Sequence, residues 1–256
     1  MSFSADLRGT RYYAGEPVEA LAERWQLATV YAFGAVGSTL DVAHALAPAA
    51  TSGTLILADE QTAGRGRQGR RWASAAGAGV WLTLIERPSD ARALDVLALR
   101  CGLFAAEVLD DLAGATVRVK WPNDLYVGDR KLAGTLIETR WRGTAPEWVA
   151  IGFGLNIAAP DLDGGIGLVE GAGRLAVLDR IVPAIRRAAA ASRHLTEGEL
   201  TRWRARDLSV GRDVTEPGAG TVRGISAAGE LLIAAEGRTA AFRSGSLTFA
   251  VPLSCS

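Results

Sequence analysis

Cysteine is nearly absent from this chain: Cys101 and Cys255 are the only two in 256 residues, and they lie far apart. That makes a disulfide framework implausible and a reduced, cytoplasmic setting the expectation. Cys101 falls in the apolar, helix-like stretch 97–104, where a buried structural thiol is expected rather than a nucleophile. Histidine is as scarce. His44 and His194 have no Cys or His neighbours at metal-ligand spacing, so no metal site is expected. Nothing supports a catalytic triad. No apolar run is long enough to span a membrane, and the N-terminus shows no signal-peptide pattern. An excess of one charge is also missing. The 28 Lys and Arg balance 28 Asp and Glu, with a pI of about 6.8, so there is no global basic field for nucleic acid.

Against that neutral background, Gly64-Arg65-Gly66-Arg67-Gln68-Gly69-Arg70-Arg71-Trp72 puts four guanidinium groups into eight residues and spaces them with three glycines. Glycine lets a backbone approach a ligand closely. Arginine grips carboxylate or phosphate through a planar fork of donors. The run satisfies G-x-G-x-x-G as a bare pattern, but the dinucleotide fingerprint requires a helix after it. Here a small-residue loop and then a buried strand at 79–85 follow, so a Rossmann site is rejected. A P-loop is rejected too, because Arg70-Arg71 stands where Lys-Ser/Thr is needed. Taken alone, the run also reads as a solvated basic loop or a nucleic-acid patch.

Hydrophobic periodicity predicts helices over 17–26, 40–46, 92–112, 177–192 and 197–206. It predicts strands over 29–35, 54–59, 79–85, 117–121, 125–127, 131–138 and 148–157. Gly128-Asp129 is a hairpin turn. Strands and helices without regular alternation indicate an α+β fold. From Gly211 onward, short apolar runs at 221–225, 230–234, 238–242 and 246–251 are separated by glycine turns, the pattern of a small barrel. The chain is therefore divided into residues 1–207 and 208–256.

Three further runs join the arginine loop: Lys120-Trp121-Pro122-Asn123-Asp124-Leu125, Arg130-Lys131-Leu132-Ala133-Gly134-Thr135-Leu136-Ile137-Glu138, and Gly152-Phe153-Gly154-Leu155-Asn156-Ile157. In this order the chain resembles the biotin protein ligases, strongly over about residues 30 to 160 and weakly beyond. The resemblance implies a mixed-sheet catalytic domain of the biotin/lipoate ligase type and a small SH3-like C-terminal barrel. It also implies a chemistry. Biotin and ATP, with Mg²⁺, form biotinyl-5'-adenylate, and a lysine of a biotin carboxyl carrier protein then takes the biotin. Arg65, Arg67 and Lys131 are the implied catalytic residues. Ser38, Thr39, Leu40, Gln61, Gly64, Gly66, Trp72 and Gly134 are implied on the biotin side. Lys120, Asn123, Asp124 and Asn156 are implied on the ATP side, together with Arg67 and Lys131. Asp124 either orients Lys131 or holds Mg²⁺ through water; no protein-borne metal site is implied.

Each residue also has a plainer reading. Ser38 and Thr39 suit a helix cap, Asn123 and Asp124 a turn, Asn156 a strand end, and Lys131 a solvated hairpin lysine. The chain also departs from the family pattern. Leu40 stands where asparagine is frequent, Gln68 where a third loop arginine is common, and Ser246 where an acidic residue is frequent. Ahead of Gly37 there is one good helix, so the monofunctional type without a DNA-binding domain is expected, with no DNA or membrane partner and with a homodimer allowed. The competing readings are a lipoate or octanoate ligase or transferase of the same fold, and a non-enzymatic module that binds nucleic acid through its arginines.

Overall fold

The computed structural model describes residues 9–88, 90–161, 164–191 and 193–253. Cys255 and Ser192 lie outside the described residues. Strands β1 (Tyr12–Tyr13) and β2 (Glu16–Pro17) pair and lead into α1 (Val18–Arg24). This helix is shorter than the sequence predicts. Pro17 has extended backbone and caps it, and Gln26 takes a positive φ beyond its other end.

Then come β3 (Thr29–Val36), α2 (Thr39–Leu46), β4 (Thr54–Gln61) and β5 (Gly79–Glu86). The expected helix over 92–112 divides into a 3₁₀ segment, Ala91–Val96, and α3 (Leu97–Ala113). Gly114, in the left-handed conformation, closes α3 with its N–H on the last carbonyls. Strands β6 (Arg118–Lys120), β7 (Asp124–Val127), β8 (Arg130–Arg142) and β9 (Ala145–Asn156) follow, and then α4 (Arg174–Ala190) and α5 (Glu197–Arg206).

These strands form one sheet in the order β3-β4-β5-β9-β8-β7-β6, with only the β3–β4 pair parallel. Alternation along its central strands splits the core in two. Leu55, Leu57, Leu82, Leu84, Ile151 and Phe153 face the large cluster that includes residues of α1, α3 and α4. Ile56, Ile85 and Ala150 face the small cluster under α2. One face is thus filled mainly by α1, α3 and α4, with Trp203 of α5 in the same cluster. The other is covered by α2 alone, which leaves the rest of that face free to carry a site.

A second, five-stranded antiparallel sheet is built from β10 (Asp213–Glu216), β11 (Gly220–Ile225), β12 (Leu231–Ala235), β13 (Arg238–Phe242) and β14 (Thr248–Phe249), in the order β13-β12-β11-β10-β14. The sequence pattern misses β10, where only Val214 is buried and no alternation is visible. It also overextends β14, because the flanking Ser246 and Leu247 leave the sheet to line a cavity. Val214, Val222, Leu231 and Ile233 join the main core, and the Trp121 indole donates to Gly229 O at 3.0 Å, so the two sheets pack as one body.

Candidate active site

The uncovered sheet face, the arginine loop and the segment around β14 enclose a cavity of about 630 Å³. That is an ordinary volume for a small-molecule site. Ser38, Thr39, Leu40, Gln61, Arg65, Gly66, Arg67, Trp72, Lys120, Asn123, Asp124, Lys131, Gly134 and Asn156 all line it. Gly64 does not. It lines an adjoining cavity under the loop, and a Cβ there would stand 2.5 Å from Trp72 O and 2.7 Å from Ser74 Oγ. Glycine at 64 is thus needed for the loop's own packing.

One end of the cavity is polar and uncharged. Ser38 caps α2, its hydroxyl accepting from Leu40 N at 3.3 Å, so the capping reading holds. Gln61 Oε1 accepts from Thr39 N at 2.9 Å, Thr39 Oγ1 at 3.1 Å and Ser38 Oγ at 3.4 Å. Its Nε2 donates to Ser74 at 2.9 Å. The amide is therefore fixed in orientation, with one Nε2 hydrogen left over.

The floor is made by residues that lack side chains. A Cβ on Gly152 would meet Leu40 at 3.0 Å, and one on Gly154 would meet Trp72 Nε1 at 2.7 Å. A Cβ on Gly134 would stand 3.3 Å from Asp124 Oδ1 and 3.4 Å from Trp72. Trp72 therefore lies flat against strand backbone, possible only because glycine occupies these positions. The Lys131 ammonium sits over the same indole, 5.1 Å from the ring centroid.

The other end is cationic. Lys131 Nζ pairs with Asp124 Oδ1 at 2.7 Å. Arg67 Nη1 donates to Asn123 Oδ1 at 3.3 Å, and Asn123 Nδ2 holds Thr135 O at 2.8 Å. Burial pulls the Arg67 and Lys120 pKa values down, against the opposing pull of Asp124. Burial also pushes Tyr126 up, reinforced by Asp124. Arg65, Arg70 and Arg71 bring the cations lining the cavity to six, against which Asp124 and Asp129 supply the carboxylates. The arrangement suits a polyanion, which would relieve the mutual repulsion of the cations.

Two expectations need refinement. Arg65 is already engaged, forming a two-pronged pair with Glu138 at 3.0 and 2.9 Å and approaching Asp41 at 3.2 Å. Asn156 Nδ2 donates to Ile166 O at 3.2 Å, which fastens the chain beyond β9. The sequence reading missed Asp41 and Glu138 as anchors of the loop. It also missed Tyr126 and Phe249 as cavity walls. Glu138 ends a quoted motif and was within reach; an apolar strand residue such as Phe249 carries no such signal. Among the described residues, no three His, Cys, Asp or Glu side chains converge as a metal site.

Residues 36–156 match the model of the biotin/lipoate A/B protein ligase family. Over 203 residues the chain is 36% identical to the bifunctional ligase/repressor BirA of Escherichia coli, covering 73% of this chain and 63% of that protein, less than two thirds of its length. Over 246 residues it is 33% identical to the biotin–[acetyl-CoA-carboxylase] ligase of Mycobacterium tuberculosis, covering 86% of this chain and 87% of that one. The solved biotin protein ligase of Aquifex aeolicus, in complex with biotin and ATP, superposes with a TM-score of 0.72 at 23% identity, over 87% of this chain and 99% of the other, and so shares the fold. The chain is a member of the biotin/lipoate A/B protein ligase family, on its biotin protein ligase side.

Proposed function

We propose that this chain is an ATP-dependent biotin–protein ligase, with residues 1–207 as the catalytic unit and 208–256 as a small SH3-like unit. One observation carries the reading. A single cavity joins a fixed, uncharged hydrogen-bonding end at Ser38, Thr39 and Gln61 to a cationic end at Arg67, Lys120 and Lys131. The ureido ring of biotin is neutral and needs amide and hydroxyl partners, whereas its carboxylate and the ATP phosphates are anions.

In the first step a biotin carboxylate oxygen attacks the α-phosphorus. The bond to the β-phosphate oxygen breaks, and pyrophosphate leaves with that electron pair. Lys131 neutralises charge at the carboxylate and α-phosphate, oriented by Asp124. Arg65, Gly66 and Arg67 wrap the adenylate, and Mg²⁺ arrives with the nucleotide. In the second step a lysine amine of a biotin carboxyl carrier protein attacks the acyl carbon, and AMP leaves. Relatives named biotin–[acetyl-CoA-carboxylase] ligase support that acceptor class. Cytoplasm, where ATP and the carboxylase meet, is the setting this reading assigns; no described helix is long and apolar enough to cross a membrane.

Among the described residues, a lipoyl or octanoyl transferase that works through a cysteine thioester is disfavoured. Cys101 is fully buried in α3, and burial pushes its pKa up to about 12. A nucleic-acid module is disfavoured by the engagement of Arg65 with Glu138 and by the zero net charge. No DNA contact is part of the proposal, and a specific mobility shift with promoter DNA at physiological salt would contradict that part. The deciding experiment is exchange of labelled pyrophosphate into ATP, with biotin, lipoate and octanoate in parallel. Exchange with biotin alone supports the proposal. Exchange only with lipoate or octanoate moves the chain to the sister activity, and no exchange with any of them rejects adenylation.

A further inference from the structure

Lys120 and Lys131 are the only lysines in the chain; the other cations among its 28 Lys and Arg are arginines. Both lysines line the cavity. A lysine ammonium is a compact point charge on a flexible stem, unlike the planar guanidinium fork of the other cations. The two are held differently. Lys131 has a carboxylate partner, Asp124, at 2.7 Å. Among the described residues no carboxylate makes an ion pair with Lys120. Its ammonium lies over two aromatic faces instead, 5.7 Å from the Tyr126 centroid and 5.3 Å from that of Phe249.

Phe249 comes from the other sheet. It lies in β14, is 9% exposed, and lines the cavity beside Thr248 and Leu247. Its ring also carries the Arg212 guanidinium at 5.3 Å, and Arg212 is in turn 3.5 Å from Asp129. An aromatic face attracts a cation without neutralising it. A carboxylate would hold Lys120 as firmly but would cancel its charge toward an incoming anion. Lys120 is therefore confined and still available. Burial pulls its pKa down against the opposing field of Asp124, whose carboxylate makes its ion pair with Lys131 instead.

We propose that Phe249 is a positioning residue for nucleotide activation: from the C-terminal sheet, its ring fixes the Lys120 ammonium in the cavity, where it meets a phosphate of the bound nucleotide. The proposal rests on the adenylation reading for its kinetic consequence, but the placement of Lys120 by Phe249 is testable without it. The second sheet thereby supplies part of the nucleotide site through an apolar side chain rather than through a charge of its own. Ser246, at the other end of the same segment, meets the arginine loop without a charge of its own, donating to Gln68 Oε1 at 2.8 Å and accepting from Arg70 Nη2 at 3.4 Å.

The test compares Phe249→Leu, which keeps apolar volume but loses the ring face, with Phe249→Tyr, which keeps the ring. With lysine-selective ¹³C labelling the protein gives two lysine side-chain signals, assigned with Lys120→Arg. In the wild type the Lys120 Hε resonance is expected upfield from ring currents. In Phe249→Leu that displacement shrinks and in Phe249→Tyr it returns, while an unchanged Lys131 signal reports an intact fold. On adding MgATP the Lys120 signal moves in the wild type and moves less in Phe249→Leu. In biotin-dependent pyrophosphate exchange, Phe249→Leu raises the KM for ATP or lowers kcat by about tenfold, the scale of losing a desolvated cation–aromatic contact, and leaves the KM for biotin unchanged. In a Lys120→Met background the same change adds nothing. A Lys120 signal without upfield displacement, one that ignores MgATP, or an equal loss in the Lys120→Met background would each overturn the proposal. Absence of biotin-dependent exchange in the wild type, with the MgATP response intact, would reject the ligase reading and leave the role of Phe249 standing.

Discussion

Lys131 Nζ stands 2.7 Å from Asp124 Oδ1, with the two residues on adjacent strands β8 and β7 of the main sheet. The oxygen is sealed from solvent and faces this ammonium, the contact on which the proposed orienting role of Asp124 rests. Lys131→Ala is expected to slow biotin adenylation by about 10²–10³-fold, the scale of removing one charge-stabilising donor. Asp124→Asn keeps the shape but not the charge, and is expected to cost about tenfold, the equivalent of a single charge-assisted contact. Pyrophosphate exchange measures both. A wild-type rate in Lys131→Ala would remove Lys131 from the chemistry.

Arg67 bridges the loop to the Lys-Trp-Pro-Asn-Asp segment through Asn123 Oδ1 at 3.3 Å. Arg67→Gly deletes that tie and the half-buried guanidinium together. The acyl-adenylate is then expected to escape faster, seen as non-specific acylation of a lysine-rich bystander protein. Bystander labelling no higher than with the wild type would mean that the loop does not retain the intermediate.

Gly154 faces Trp72 so closely that a Cβ would come within 2.7 Å of Nε1 and 2.9 Å of Cε2. Gly154→Ala must push the indole off the floor, and the indole carries Lys131 over its face. The expected result is a weaker biotin KM with a stability change of about 1–3 kcal/mol, the range for overpacking. Isothermal titration with biotin alone isolates the effect, and an unchanged affinity would show that Trp72 shifts freely.

Much of this was legible because charge and glycine mark their positions in a sequence. The arginine loop, Lys131 and the Gly-x-Gly pair each break the local apolar pattern, and the cavity gathers every one of the proposed residues except Gly64. What stayed hidden depends on pairing across the chain. Glu138 anchors Arg65 from 73 positions away, and Phe249 reaches Lys120 across the two sheets. Neither separation leaves a trace in local periodicity. The helix predicted from periodicity at 197–206 matches α5 to the residue, and the structure adds a Thr196–Glu199 capping box at its start. The single helix predicted over 92–112 failed because a 3₁₀ segment keeps a similar apolar spacing while changing the hydrogen bonding.

That capping box also does a second task. Glu199 accepts from Thr196 N at 2.8 Å and from Arg100 Nε at 2.7 Å, and the Arg100 side chain is 1% exposed in α3. Burial raises the Glu199 pKa, but the bonds from Arg100 and Thr196 outweigh it and the net shift is downward. A carboxyl whose folded pKa lies below its unfolded one stabilises the fold above the unfolded value. That contribution disappears as pH falls through the folded value. Glu199→Gln would leave Arg100 buried without a counter-charge, an expected loss of about 3–5 kcal/mol in urea unfolding at pH 7. Titrating the wild type downward from pH 5 should erase most of the difference between the two proteins. A gap that persists undiminished at low pH would show that packing, rather than the Arg100–Glu199 charge pair, holds α5 against α3.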